Sequence, residues 1–346
     1  MIYFVVLLLI VSLSSFLGKR AYCIAISFIL ILFAGLRGVS VGPDTAQYKY
    51  LFYDYTNFSF GQLVSFFNYG DTEIGYVLTS KFFSLFTNYE TFQLFASIFV
   101  VVPASLLIFR YSRIPWVSYF IFFSLPIFSS MSMSMMRQGF AFGFFLIAYQ
   151  LVVKRKFLKY ALCIAIGFLF HASIICLIPI YFLYGIPYKR SYNKIIFVGL
   201  AIFFVFNTVI YKFVASFSRM QYDVGDSGGI KMLFFFLMLL LGTYLIEERI
   251  LQESYNKMYF YLLVFTILCW FLGMNLAAVF RLAVYTEFFI CLMVPNLFMT
   301  IIDKASRSLI FASILIACFI VLKFLIMRDA SVVGNNYYYP YFFFWE

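Results

Sequence analysis

The sequence predicts an all-α polytopic integral membrane bundle of about twelve transmembrane helices. Three observations carry that prediction. First, the chain is 65% hydrophobic and only 11% charged, with a mean hydropathy of +0.98; soluble domains carry about 25% charged residues. Second, apolar runs approaching the roughly 20 residues that cross a bilayer recur along the whole length. Third, the lysines and arginines gather in short clusters between those runs, as the positive-inside rule requires.

The spans are expected near residues 2–17, 22–36, 91–109, 114–130, 135–153, 157–170, 172–187, 195–215, 230–246, 257–274, 280–302 and 308–327. The first run, MIYFVVLLLIVSLSSFLGKR, has no basic stretch before it and no small-residue cleavage site after it. It reads as a retained helix rather than a signal peptide. Segment 73–87 is apolar on one side but carries Lys81 midway, so it is expected to be an interfacial or re-entrant helix. With those spans, Lys19-Arg20, Arg110/Arg113, Lys154-Arg155-Lys156, Lys189-Arg190, Arg249/Lys257 and Lys304/Arg307 all fall on one side, the cytoplasmic one. The net charge of +11 is therefore assigned to topology, not to nucleic acid. A full crossing by 73–87 would turn Lys19-Arg20 outward.

The whole chain, 1–346, is expected to be one polytopic domain. Its opposite face receives a long periplasmic loop with the interfacial helix (37–90), several short turns, and an aromatic tail (328–346). The loop's aromatics, Tyr48, Tyr50, Phe52, Tyr53, Tyr55, Phe58 and Phe60, are expected on the membrane surface. Six cysteines lie scattered in apolar segments without CxxC or Cys/His spacing, so neither a disulfide framework nor a zinc site is indicated. No internal repeat supports an inverted-repeat transporter.

The polar residues of that face carry the chemistry. Arg37 ends the second span against the charge rule, either snorkelling to headgroups or contacting phosphate. Gly42-Pro43 makes a turn, after which Asp44 and Thr45 would cap a short helix holding Tyr48. Asp44 is equally readable as an active carboxylate. Asp71 and Glu73 have a spacing that would suit a cation, but two carboxylates alone are a weak metal signal, and Glu73 is as readable as an N-terminal helix charge. Arg137 and Gln138 stand in otherwise apolar sequence, where an arginine is costly unless partnered or used. His171, the single histidine, sits at a span end as a structural residue, a base or a phosphate donor. Arg281 shares a helix face with Tyr285, four residues on, and Glu287 faces elsewhere in the bundle.

Three arginines, a histidine and two or three carboxylates at one interface suit an anionic amphiphile. A lipid pyrophosphate has its head at that boundary and is a good leaving group, whose developing charge arginines would stabilise.

In order, "GLR…VGPDTAQY", "DTEIGY", "MRQGFAFG", "FHASII", "FRLAVY" and "NNYYYPYFFFWE" resemble the EpsG-like branch of the Wzy family of bacterial O-antigen and polysaccharide polymerases. The family typically has G-T-D-T where Pro43 stands here, a departure that leaves Asp44 and Thr45 in place. The resemblance implies an inner-membrane glycosyltransferase acting at the periplasmic face. Such an enzyme moves a growing glycan from undecaprenyl pyrophosphate to the sugar end of another lipid-linked repeat, without metal or other cofactor. It implies membrane lipid as surroundings, and partners that set chain length or flip the substrate. The family's polar positions correspond to Arg37, Asp44, Glu73, Arg137, His171 and Arg281. We assign Arg137 and Arg281 to the donor pyrophosphate, His171 or Asp44 to the base, and Arg37 and Glu73 to the acceptor side. An O-antigen ligase or other lipid-dependent glycosyltransferase shares the outward arginines. A membrane acyltransferase would use His171 as base. A flippase or transporter predicts charge in mid-span, for which Glu287 and Lys323 are the few instances.

Overall fold

A computed structural model describes residues 2–59, 61–63, 73–206, 209–210, 212, 229–274, 277–301, 303–331 and 339–346. Among them the protein is helical; its one β-type contact is an isolated antiparallel bridge between Arg37 and Phe343. The chain divides into two compact units, Met1–Ile178 with Cys318–Glu346, and Pro179–Ala317.

The first unit contains α1 (Ile2–Ser12), α2 (Lys19–Gly35), α3 (Thr45–Asp54), α4 (Ile74–Ser84), α5 (Tyr89–Tyr111), α6 (Pro115–Ser124), α7 (Pro126–Ser129), α8 (Met136–Val153) and α9 (Phe157–Phe168). The second contains α10 (Ile180–Leu183), α11 (Ser191–Val205), α12 (Gly229–Gly242), α13 (Glu248–Gln252), α14 (Ser254–Gly273), α15 (Ala277–Glu287) and α16 (Ile290–Leu297), with α17 following at Lys304–Ser331.

Each expected apolar segment contains helix, but only part of the expected twelve spans meets the length a crossing needs. Among the described residues five helical stretches are long and apolar enough to cross a membrane: Tyr89–Tyr111, Met136–Val153, Tyr255–Gly273, Val279–Thr300 and Lys304–Arg328. A sixth would be Pro115–Ser124 joined to Pro126–Ser134, bent by 66°. The bend has a local cause. Pro126 cannot continue the helix, and it holds Leu125 extended, at ψ 159°. Helices such as Phe157–Phe168 and Ser191–Val205 have too little axial rise for a hydrocarbon core about 30 Å thick. The 11 residues of α4 give only about 17 Å, in keeping with an interfacial or re-entrant element.

The loop aromatics divide between two environments, so the expected surface placement holds for only some of them. Tyr48, Phe52 and Tyr55 are buried with Tyr76, Tyr89, Phe92, Met136 and Phe140 in one cluster that joins α3, α4, α5 and α8. Tyr50 and Tyr53 are exposed, and Phe60 lies outside the described residues. The division follows helical periodicity: positions 48 and 52 share one face of α3, and Tyr55, in the 3-10 turn that follows, continues it. Asn88 begins α5 by accepting the Thr91 amide at 3.0 Å.

Gly42 sets the turn before α3. Its φ is +89°, and a Cβ there would lie 2.3 Å from the Met133 carbonyl and 2.9 Å from Thr45 Oγ1. Gly42→Ala is expected to destabilise the first unit by about 2–3 kcal/mol, read as a lowered thermal midpoint in detergent.

Candidate functional site

Glu73 is the centre of the site. It lies at the N-terminus of α4, where a carboxylate is favoured by the helix dipole. Its Oε2 accepts Arg137 Nη1 at 2.6 Å, and its Oε1 is 2.8 Å from His171 Nδ1. The side chains of Glu73, Arg137 and His171 are 20%, 30% and 15% exposed, so each is partly shielded but reachable.

Local structure explains each placement. Arg137 is the second residue of α8, after a π turn over Ser130–Ser134. A cation in the first turn of a helix opposes the macrodipole, so this position suits an arginine only with an anion beside it. Glu73 is that anion. His171 follows α9 with extended backbone, φ −160° and ψ 121°. The two segments meet because Gly75 donates its amide to the Leu169 carbonyl at 2.7 Å. A Cβ on Gly75 would stand 2.7 Å from that same oxygen, so a larger residue would push Glu73 away from His171.

The electrostatics follow from this contact set. Burial pushes the Glu73 carboxyl up, but the hydrogen bond from His171 and the charge of Arg137 outweigh it and bring it from 4.5 down to about 2. An ionised carboxylate only accepts hydrogen bonds. His171 Nδ1 therefore carries the proton toward Glu73, and in the neutral ring Nε2 keeps its lone pair. Since the folded pKa is depressed, the stabilisation is complete above about pH 4.5 and is lost as pH falls through about 2. Thermal unfolding in detergent is expected to show the wild type losing on the order of 2 kcal/mol more than Glu73→Gln across that window. Equal acid sensitivity would remove the charged-carboxylate assignment.

Two further residues join this cluster. Tyr48, buried in α3, hydrogen-bonds Arg137; burial pushes its phenol up, and Arg137 opposes the rise. Asp44 occupies the N-cap position of α3 but makes no capping bond; its Oδ2 accepts the Ser134 hydroxyl at 3.3 Å. Thr45 is fully buried, and its hydroxyl donates to Val41 O at 2.7 Å and Met133 O at 3.2 Å. Gln138, 2% exposed, is buried inside the unit.

Arg37 is placed differently. It is 1% exposed, where snorkelling would leave it open. Its Nη1 donates to Ala34 O at 2.5 Å, while its Nε has no hydrogen-bond partner among the described residues. The tail lies beside it: Gly38 N donates to Phe342 O at 2.7 Å, Phe344 N donates to Leu36 O at 2.9 Å, and Tyr341 stacks on Phe33 at 4.6 Å. Asp71 lies outside the described residues, and both oxygens of Glu73 are engaged by Arg137 and His171.

In the second unit Arg281 is exposed on α15 and Tyr285 is fully buried. Glu287 is fully buried and accepts Trp270 Nε1 at 2.6 Å, while Thr266 and Thr286 hydroxyls meet at 2.7 Å between α14 and α15.

Ser134 and Gly75 are site residues that the sequence reading did not single out. Their signals were present, in the small-residue run before Arg137 and in the glycine two residues after Glu73.

These features define a multi-pass helical membrane protein with a partly shielded Arg–Glu–His cluster. The model of the EpsG family matches residues 20–343, and the chain belongs to that family. Comparison with curated proteins and with solved structures gives no match. Family membership suggests a membrane glycosyltransferase of the polysaccharide-polymerase kind.

Proposed function

We propose that the protein polymerises a polysaccharide at the periplasmic face of a bacterial inner membrane. A sugar hydroxyl of one undecaprenyl-pyrophosphate-linked repeat attacks the anomeric carbon of the glycan held on another. The new glycosidic C–O bond forms as the bond to pyrophosphate breaks. The leaving pyrophosphate takes the electron pair, and the hydroxyl proton passes to His171 Nε2.

The observation that carries this reading is the shared Glu73 carboxylate. It orients His171 through Nδ1 and holds Arg137 beside it, with donors of the guanidinium left for phosphate oxygens. Glu73 thereby acts as a positioning residue, a change from the acceptor-side role assigned from sequence. Asp44, tied to Ser134, and Tyr48, tied to Arg137, line the same cluster. His171 is preferred to Asp44 as the base because its tautomer is fixed. The assignment of Arg281 to pyrophosphate rests on its family position alone.

The test is polymerisation in detergent or nanodiscs with a purified lipid-linked repeat. Ladders of increasing length from wild type, with release of undecaprenyl pyrophosphate, support the proposal. Transfer only to a non-repeat acceptor would instead identify a ligase, and no transfer at all with an intact repeat would reject the polymerase reading.

A further inference from the structure

Well away from the Glu73 cluster, α2 and α5 leave a groove of about 600 Å³ between them. Its walls are apolar, formed by Ile24 and Phe28 on α2 and by Leu106 and Phe109 on α5, and Arg20 stands at one end. A second hollow of about 510 Å³ adjoins it, sharing Arg20 and Ile24 and adding Lys19. Among the described residues, no acidic side chain lines either space.

The two cations at this end differ. Lys19 is committed: its Nζ donates to Ser112 O at 2.9 Å and lies 5.6 Å over the Phe109 ring. The Arg20 guanidinium is exposed and has no hydrogen-bond partner among the described residues. The Lys19–Ser112 bond also brings this end beside the last turn of α5, which carries Arg110. The charge pattern assigns this end to the cytoplasm. The site cluster packs at the other end of α5, where Tyr89 donates to Thr45 O. The 23 residues of α5 separate the two ends by about 34 Å.

We propose that this groove binds an anionic diacyl phospholipid, with one acyl chain along α2 and α5 and the phosphate at Arg20. The chemistry is complementary at both ends. An apolar channel accepts a hydrocarbon chain, and an unpaired guanidinium at its mouth accepts a phosphate in fork geometry. Basic pockets between membrane helices on the cytoplasmic side select anionic headgroups in this way.

Native mass spectrometry of the delipidated full chain in detergent tests the proposal. Phosphatidylglycerol and phosphatidylcholine of identical acyl chains are titrated separately. Wild type is expected to hold phosphatidylglycerol about fivefold tighter, the scale of one basic contact. Arg20→Gln, a change at an exposed residue, is expected to bring the two lipids to parity. Leu106→Trp, which fills the groove, is expected to weaken both. Equal affinity for the two lipids in wild type, or an undiminished preference in Arg20→Gln, would overturn the proposal. So would Arg20-dependent binding of undecaprenyl phosphate in preference to phosphatidylglycerol, which would make the groove a substrate-lipid site. The readout involves no glycan transfer, so it stands apart from the outcome of the polymerase assay.

Discussion

His171→Ala is expected to lose about 10²–10⁴-fold in turnover, the range typical of a positioned general base, while the protein still inserts and folds. Only Nδ1 of His171 is engaged with Glu73, at 2.8 Å, so the chemistry is assigned to Nε2. Two companion variants separate orientation from charge. Glu73→Gln removes the anion that fixes the tautomer and should lower kcat with little change in KM. Glu73→Asp keeps the charge but shortens the reach, and should recover part of the loss. The pH profile adds a further readout. Glu73 stays ionised down to about pH 2, so an acid limb at higher pH belongs to a different group. The base assignment itself rests on His171→Ala. Full activity in that variant would sink the base assignment.

Arg137→Lys is the second large effect, expected at about 10²-fold in kcat. Lysine keeps the charge but not the planar fork that would meet pyrophosphate oxygens in pairs. Arg137→Ala goes further. It leaves Glu73 with His171 alone, and with side chains 30% and 20% exposed the lost pair should cost on the order of 2 kcal/mol in stability. The lysine variant is therefore the cleaner test of function and the alanine variant of structure. Single-turnover assays with the lipid-linked repeat distinguish loss of donor binding from loss of chemistry. Wild-type ladders in Arg137→Lys would reject the pyrophosphate role.

Much of the site was legible as a set of residue types and little of it as a set of contacts. Arg137, Glu73 and His171 each stood out because a charged or titratable group in apolar sequence needs a reason. Their mutual arrangement did not. Glu73 and Arg137 are 64 residues apart and Glu73 and His171 are 98 apart; no local pattern encodes such pairings. Arg37 shows the opposite outcome. In sequence it read as a cation reaching headgroups or phosphate, but the tail pairs across it and leaves it 1% exposed. The same folding moved half of the described loop aromatics inward, because α3 and the 3-10 turn after it bring Tyr48, Phe52 and Tyr55 into one cluster.

The sequence by itself determined the solvent of this protein, its helical class and the family its motifs resemble. Those properties follow from transfer free energies and residue order, which add up along the chain without regard to packing. Only the tertiary structure decided how many helices are long enough to span, which polar groups meet and which cation is sealed from water. Those depend on where helices break and how they pack, and so on contacts between residues far apart in the chain.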